Sequence, residues 1–436
     1  MSDTETNITQ SIHQSDEAHK RLKKRRRRES GFRMLGVSAI IMALTALVWL
    51  LVSIIGTGYT AFYQHHMTIE VVLDENILDP TGAREPDALR KANYRRIVQN
   101  TLYARFPDVT DRRARQALFK IVSASGATDM VRQMVYKNPQ LVGQTLTLDV
   151  PTSDDVDQLL KGYIDREIQE DRRKLSDQQI DWVDALVEAG EIRARFNWAF
   201  FTATDSRDPE LAGIAGAVAG SFMALLVAFI VAVPIGIGAA LYLEEFAPEN
   251  LFTDIVEINI NNLAAVPSII FGLLGLAVFL NFFGMPRSAP LVGGLVLALM
   301  TLPTIIIATR SALRAVSPSI VDGALSLGAS KTQAVFHHKV PLAAPGILTG
   351  TIIGIAQALG ETAPLLMIGM VAFVTEIPTS VTEPASALPV QIFLWADSAE
   401  RAWAERISAA IIALLVVLVS MNGLAIFLRS KLEKRW

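Results

Sequence analysis

Cysteine is absent from all 436 residues, which excludes disulfides and thiolate metal sites but leaves the compartment open. Charge is also scarce. Asp, Glu, Lys and Arg make up 19% of the chain against 51% apolar residues, so a membrane class competes with a soluble one. There is no G-x-x-x-x-G-K-[ST] phosphate loop, and GASKT at 328–332 lacks its spacing, so the chain carries no nucleotide-hydrolysing motif of its own. Within residues 57–210 no cluster of His, Asp and Glu has ligand spacing and no nucleophile is set beside a base. No catalytic residue, metal or cofactor is therefore expected.

What is present settles the class by its position. Crossing a hydrocarbon core takes roughly 20 helical residues. Apolar runs of that order lie at 34–56, 211–241, 258–283, 289–309, 346–372 and 407–428. The expected fold is mainly α: a polytopic membrane protein with six transmembrane helices. The first run is too long for the apolar core of a cleaved signal peptide, so it reads as an uncleaved anchor.

The near-neutral net charge hides a segregation. Residues 20–28 read KRLKKRRRR, while most of the remaining charge lies between the first and second runs. A basic block directly before an apolar run fits the excess of Lys and Arg on the cytoplasmic side, with attraction to anionic lipid. It brings no aromatic or folded module, so nucleic acid is not an expected partner. A cytoplasmic N-terminal tail at 1–33 then places 57–210 outside, 310–345 inside and the C-terminus inside. Arg310, Arg314, Lys331 and Lys339 fall inside, as does the ending RSKLEKRW. The loop 242–257 dissents, with Glu244, Glu245, Glu249, Asp254, Glu257 and no basic residue, but acidic residues carry little weight in orientation.

Residues 57–210 have soluble patterning. MTIEVVL at 67–73, LTLDV at 146–150 and ARFNWAFF at 194–201 read as strands, and 86–106, 111–123 and 153–189 as helical stretches. Ser176 and Gln179 fit a capping box, and Gly190 fits a C-terminal stop. An inserted α+β extracytoplasmic domain follows, with docking, sensing and catalysis all open as roles.

After the fourth run comes Asp322-Gly323-Ala324, then Gly328, then Val340-Pro341 and Pro345. Small residues permit close approach, and the prolines would stop the second segment before the fifth span. A helix–turn–helix knob under the membrane is the expectation. The stretch 318–345 resembles the EAA loop of binding-protein-dependent ABC importer permeases. Asp322, Gly323 and Ala324 stand at the EAA positions, and Gly328, His338, Val340 and Pro341 at the Gly, Ile, Leu and Pro positions. NLAAVPSIIFGLLGL at 262–276 and GETAPLL at 360–366 resemble the PstA-type permease of the phosphate-specific importer, and the likeness covers roughly 205–436. It implies the type I ABC importer permease fold at 211–436, phosphate as substrate, an ABC ATPase dimer on the coupling loop, a second homologous permease subunit and an extracytoplasmic phosphate-binding protein.

Four residues are expected in the substrate pathway. At 100° per residue Gly350, Gly354, Gln357, Glu361 and Pro364 share about 80° of arc on the fifth helix. A carboxyl group near mid-membrane is costly unless paired, hydrated or protonated. Glu361 has two readings: it accepts a proton-bearing phosphate, or it bonds between helices. Arg310 is the leading cation, because the only basic residue between Pro209 and Thr309 is Arg287 and none lies between Val340 and Glu400. The resemblance makes it a transport residue, and snorkelling to the interface is the other reading. Leu313 stands where the family often has Glu, so an Arg–Glu pair within that span is absent. Ser268 after Pro267, and Pro234 with Gly236 and Gly238, can break helices and free N–H groups for an anion, or serve helix packing. A permease for sulfate or molybdate, and a membrane sensor, remain as competing readings.

Overall fold

Long runs of Leu, Ile, Val and Ala can satisfy every backbone N–H and C=O only within a helix when no water is at hand. The computed structural model, which describes residues 16–432 apart from 81, 83 and 399, turns these runs into helices. Residues 1–15 of the N-terminal tail and the last four of RSKLEKRW lie outside the described residues. The chain divides into two units, 1–56 and 57–436. In the first, α1 (Asp16–Gly58) carries the basic block and the first apolar run as one continuous helix.

The second unit begins with an α+β region. Strand β1 (Tyr63–Val72) alternates, with Met67, Ile69 and Val71 turned into the core. It is followed by α2 (Glu75–Leu78), α3 (Pro86–Lys91), α4 (Tyr94–Arg105), α5 (Arg112–Phe119), α6 (Ala124–Lys137), β2 (Thr145–Pro151), α7 (Asp154–Leu160), α8 (Asp177–Glu188), β3 (Ile192–Phe196) and α9 (Trp198–Thr202). β1 is central and antiparallel to both neighbours, His66 opposite Pro151 and Tyr63 opposite Phe196. The helices cover the Met67–Ile69–Val71 face through Ile97, Leu102, Val131 and Val183. Ser176 and Gln179 form the capping box, and Gly190, at φ +70°, ends α8.

Three expectations here are corrected. The stretch 153–189 is not one helix but α7 and α8, with irregular chain between. The strand expected at 194–201 stops at Phe196, because Asn197 accepts from Phe200 N at 3.1 Å and caps α9. Helix α6 was not foreseen, since its opening Ala-Ser-Gly-Ala-Thr has weak helix propensity; it forms on a Ser123 cap with Val131 and Val135 buried.

The membrane part comprises α10 (Ala215–Leu241), α11 (Leu251–Ala264), α12 (Ser268–Gly275), α13 (Pro290–Arg314), α14 (Pro318–Ser326), α15 (Lys331–Ala334), α16 (Val340–Gly360), α17 (Ala363–Met367), α18 (Leu388–Ala396) and α19 (Trp403–Leu432). Among the described residues five helices are long and apolar enough to cross a membrane, or six if one bent pair counts as a span. That pair is the run expected at 258–283. It is not a straight span: α11 and α12 meet at 103°, because Pro267 cannot continue the ladder. Pro234, by contrast, sits inside an unbroken α10, where Gly236 packs against Ile305 while Gly238 has no atom within 4 Å of an added Cβ, so packing explains Gly236 alone. α13 is the hub. A Cβ on its Gly294 would stand 2.6 Å from Ala224 O of α10, and Gly350 and Gly354 of α16 face Ala308 and Ile305.

Candidate functional site

Charged side chains at one end of the bundle find one another. A π-helical turn at Tyr242–Phe246 ends α10 and carries Glu244 and Glu245 to the foot of α13. Glu244 accepts from Arg310 Nε at 3.1 Å and from Arg314 Nε at 2.8 Å. Arg310 also donates through Nη2 to Glu257 of α11, and Lys339 Nζ lies 2.5 Å from Glu245. The Arg310 side chain is 12% exposed, so its charge is balanced where water is thin. The acidic loop that dissented on orientation thus supplies carboxylates to the basic residues beside it. Leu313 indeed brings no acid; it is buried with Leu241, Val335 and Ile347, and two other elements provide the Glu partners.

The coupling segment folds as a helix–turn–helix. α14 ends in a turn where Gly328 takes φ +91°, a conformation that disfavours any Cβ. Ser330 and Gln333 then form a second capping box at α15. Asp322 and Gly323 are exposed, Ala324 is tucked beneath them, and Leu327 at the tip is 92% exposed. The prolines do not stop the second segment. α15 passes through a π-helical turn at Val335–Lys339 into α16, giving one helical path from Lys331 to Gly360. Pro341 lies inside that path, directly after the π-helical turn, where the ladder has already changed its pairing.

The fifth span differs more. It was expected as one helix at 346–372, but α16 stops at Gly360 and Glu361 is its C-cap, at φ −78°, ψ 118°. Pro364 lacks the N–H that would reach Gly360, and the chain restarts at Ala363 as the short α17 with Pro364 in its first turn. The arc from Gly350 to Pro364 therefore does not exist as one face. Gly350 and Gly354 are buried against α13, while Gln357 is exposed and Glu361 half-buried. Since Gly350 faces Ala308, Arg310 stands near the level of residue 348, and Glu361 is about 20 Å further along the helix axis.

Ser268 is the first residue of α12, directly after the break, and is half-buried. One turn on, Gly272 packs on Pro364 of α17, where a Cβ would be 2.7 Å from Pro364 Cα. The two strings at 262–276 and 360–366 thus meet in space, each with its helix break. Arg310 is not part of that meeting.

A polar cluster joins the α+β region to α19, and only its Asp157–Lys161 pair, at i,i+4, has a spacing visible in the sequence. Lys161 Nζ, fully buried, lies 2.7 Å from Asp157 Oδ2 and 3.0 Å from Glu405 Oε1. His65 Nδ1 meets Asp157 Oδ1 at 2.8 Å, and Thr60 donates to Glu405 at 3.0 Å. Burial pushes the Asp157 carboxyl up, but His65 and Lys161 outweigh it and hold it below the usual carboxylate range. A cavity of about 610 Å³, walled by Arg105, Glu191 and Arg193 beside β1, contains none of the expected site residues.

Apolar spans around a hub helix, with an exposed knob on one side, define a membrane permease component. Residues 232–436 match the family described as binding-protein-dependent transport system inner membrane component, and residues 19–170 match a domain of unknown function, DUF3333. The phosphate transport system permease PstA of Yersinia pestis is 31% identical over 221 residues, 50% of this chain and 74% of that protein. PstA of Mycobacterium leprae is 30% identical over 245 residues, 55% and 79% of the two chains. The probable ABC transporter permease YqgI of Bacillus subtilis is 29% identical over 212 residues, 46% and 71%. A chain of an inward-facing MetNI methionine ABC transporter structure aligns with a TM-score of 0.40 at 15% identity, over 51% of this chain and 95% of that one. The chain belongs to the PstA family of phosphate transport permeases.

Proposed function

We propose that this chain is the transmembrane subunit of an ATP-driven importer that moves inorganic phosphate across the inner membrane. The observation that carries the reading is the meeting of the two PstA-like strings at Gly272 and Pro364, which packs together the two short helices, α12 and α17, that each restart the chain after a break. A break within the membrane is tolerated where it lines a cavity. Ser268, Gln357 and Glu361 belong to that station. A phosphate that keeps a proton can donate to the Glu361 carboxylate, whereas sulfate cannot. Arg310 serves a second station about 20 Å away, and there the anion competes with Glu244 and Glu257 for the guanidinium.

The chain has no phosphate loop, so ATP hydrolysis falls to a partner dimer seated on the knob at Asp322, Gly323, Ala324 and Gly328, with Pro341 behind it. A second permease subunit completes the pore, and a binding protein delivers phosphate to the face bearing 57–210. The N- and C-termini are cytoplasmic in this arrangement. Phosphate uptake by vesicles holding the complete complex, challenged with excess sulfate, tests the substrate: uptake persists if the reading holds, and equal competition by sulfate removes it. In the same assay Arg310→Gln and Glu361→Gln should each lower uptake at least tenfold; full uptake in either variant takes that residue out of the pathway.

A further inference from the structure

The surface around α9 carries four aromatic rings in a row. Phe62 stacks on Phe201 at 5.8 Å between ring centres, Phe201 on Phe196 at 6.0 Å, and Phe196 meets Trp198 edge-on at 4.8 Å. The outer three are open: Trp198 is 69% exposed, Phe196 50% and Phe201 38%. A soluble surface rarely leaves contiguous aromatic area uncovered. Neighbouring rings do find cover, as with Phe200, which is fully buried, and with Trp395 and Trp403, which lie tilted to each other at 5.1 Å.

Its height is fixed by backbone hydrogen bonds. Ile214 N donates to Phe200 O at 2.9 Å, and Ala215 N to Ala203 O at 3.0 Å. α9 is therefore tied to the first residues of α10, the point where an uninterrupted apolar helix begins. Close approach at Gly213, where a Cβ would lie 2.4 Å from Ala203 O, leaves no room for a side chain between the two. The row thus stands at the edge of the hydrocarbon. Trp favours that depth, since its ring is apolar and its N–H still reaches polar headgroups, and Phe accompanies it on apolar faces that sink into the headgroup boundary. On the adjoining strand Arg193 and Arg195 are exposed, Arg195 in an ion pair with Asp149 at 2.8 Å, and arginine is a residue type that suits a layer of phosphates.

We propose that Phe196, Trp198 and Phe201 seat the α+β region in the phospholipid interface of the leaflet it faces. The region then rests on lipid and does not stand free in water. A protein surface could also cover aromatic rings, but the row is continuous with the membrane-facing end of α10, and this favours lipid.

The test uses the full-length chain with its partner subunits, reconstituted in phosphatidylcholine vesicles brominated near the headgroup or deep in the acyl chain. Subtracting the emission of Trp198→Phe from that of the unaltered protein isolates the Trp198 signal. Shallow bromine should remove most of it, deep bromine less, and aqueous iodide little. Adding a ring by Phe196→Trp should introduce a second component with the same order of quenching, which covers a Trp198 variant that fails to fold. A Trp198 signal untouched by brominated lipid and quenched by iodide overturns the proposal. So does iodide quenching that disappears only when the binding protein is added, which assigns the row to a protein partner.

Discussion

At the scale of single residues, burial and neighbouring charge decide behaviour more than residue type. Asp154 opens α7, where the helix terminus favours an anion. Burial, with the charges of Glu210 and Asp155 close by, nevertheless pushes its carboxyl up to about 7. The folded chain then binds this proton more tightly than the unfolded chain, whose value is about 3.9. Its contribution to stability is greatest below about pH 4 and is lost as pH rises toward 7. Asp154→Asn should therefore raise the unfolding temperature at pH 8, and the gain should shrink toward pH 5. A gain of equal size at both pH values would assign the effect to packing. Arg310 illustrates the same rule in pairing: its partners lie 66 and 53 residues away in sequence, so no spacing within its own helix reports them.

At the scale of elements, two glycines of the coupling segment separate folding from docking. Gly328→Ala meets a left-handed backbone and should cost about 1–2 kcal/mol, seen as a lower unfolding temperature. Gly323 has ordinary helical backbone and no atom within 4 Å of an added Cβ. Gly323→Ala should therefore leave stability unchanged or raise it by up to about 1 kcal/mol, yet reduce co-purification of the ATPase if a partner packs there. Unchanged co-purification and uptake would show that no close approach is made at 323. This scale was also the most legible from sequence. The apolar runs, the knob around Gly328, the capping box at Ser176 and the break at Pro267 follow from local chemistry, because each is decided within a few residues. The end of α16 at Gly360 was missed: an apolar run longer than a membrane needs conceals where the helix stops, although Pro364 was the available signal.

At the scale of the whole molecule, stability depends on contacts that join distant segments. Lys161 and Glu405 are 244 residues apart and meet with neither exposed, so no periodicity could have linked them. Removing one member leaves buried charge without a partner, at a cost of about 3–5 kcal/mol. Lys161→Met should accordingly make 57–210 more sensitive to limited proteolysis while the ATPase still co-purifies. Adding Glu405→Gln should recover part of that loss, since the two changes are coupled. Protection from protease in Lys161→Met equal to that of the unaltered chain would mean the cluster does not hold the region in place.

The ion pairs around Glu244 also have a history within each molecule. Arg310 and Arg314 leave the ribosome 66 and 70 residues after it, which at 5–20 residues per second is a delay of roughly 3–14 s. Throughout that interval the Glu244 carboxylate has neither guanidinium, and an ionised carboxylate without a partner favours water over hydrocarbon. The arrival of α13 gives Glu244 its two guanidinium partners, while Glu245 waits longer still, for Lys339, so this end of the bundle is completed in two stages, and a chain cut short before Arg310 leaves both carboxylates without these cations.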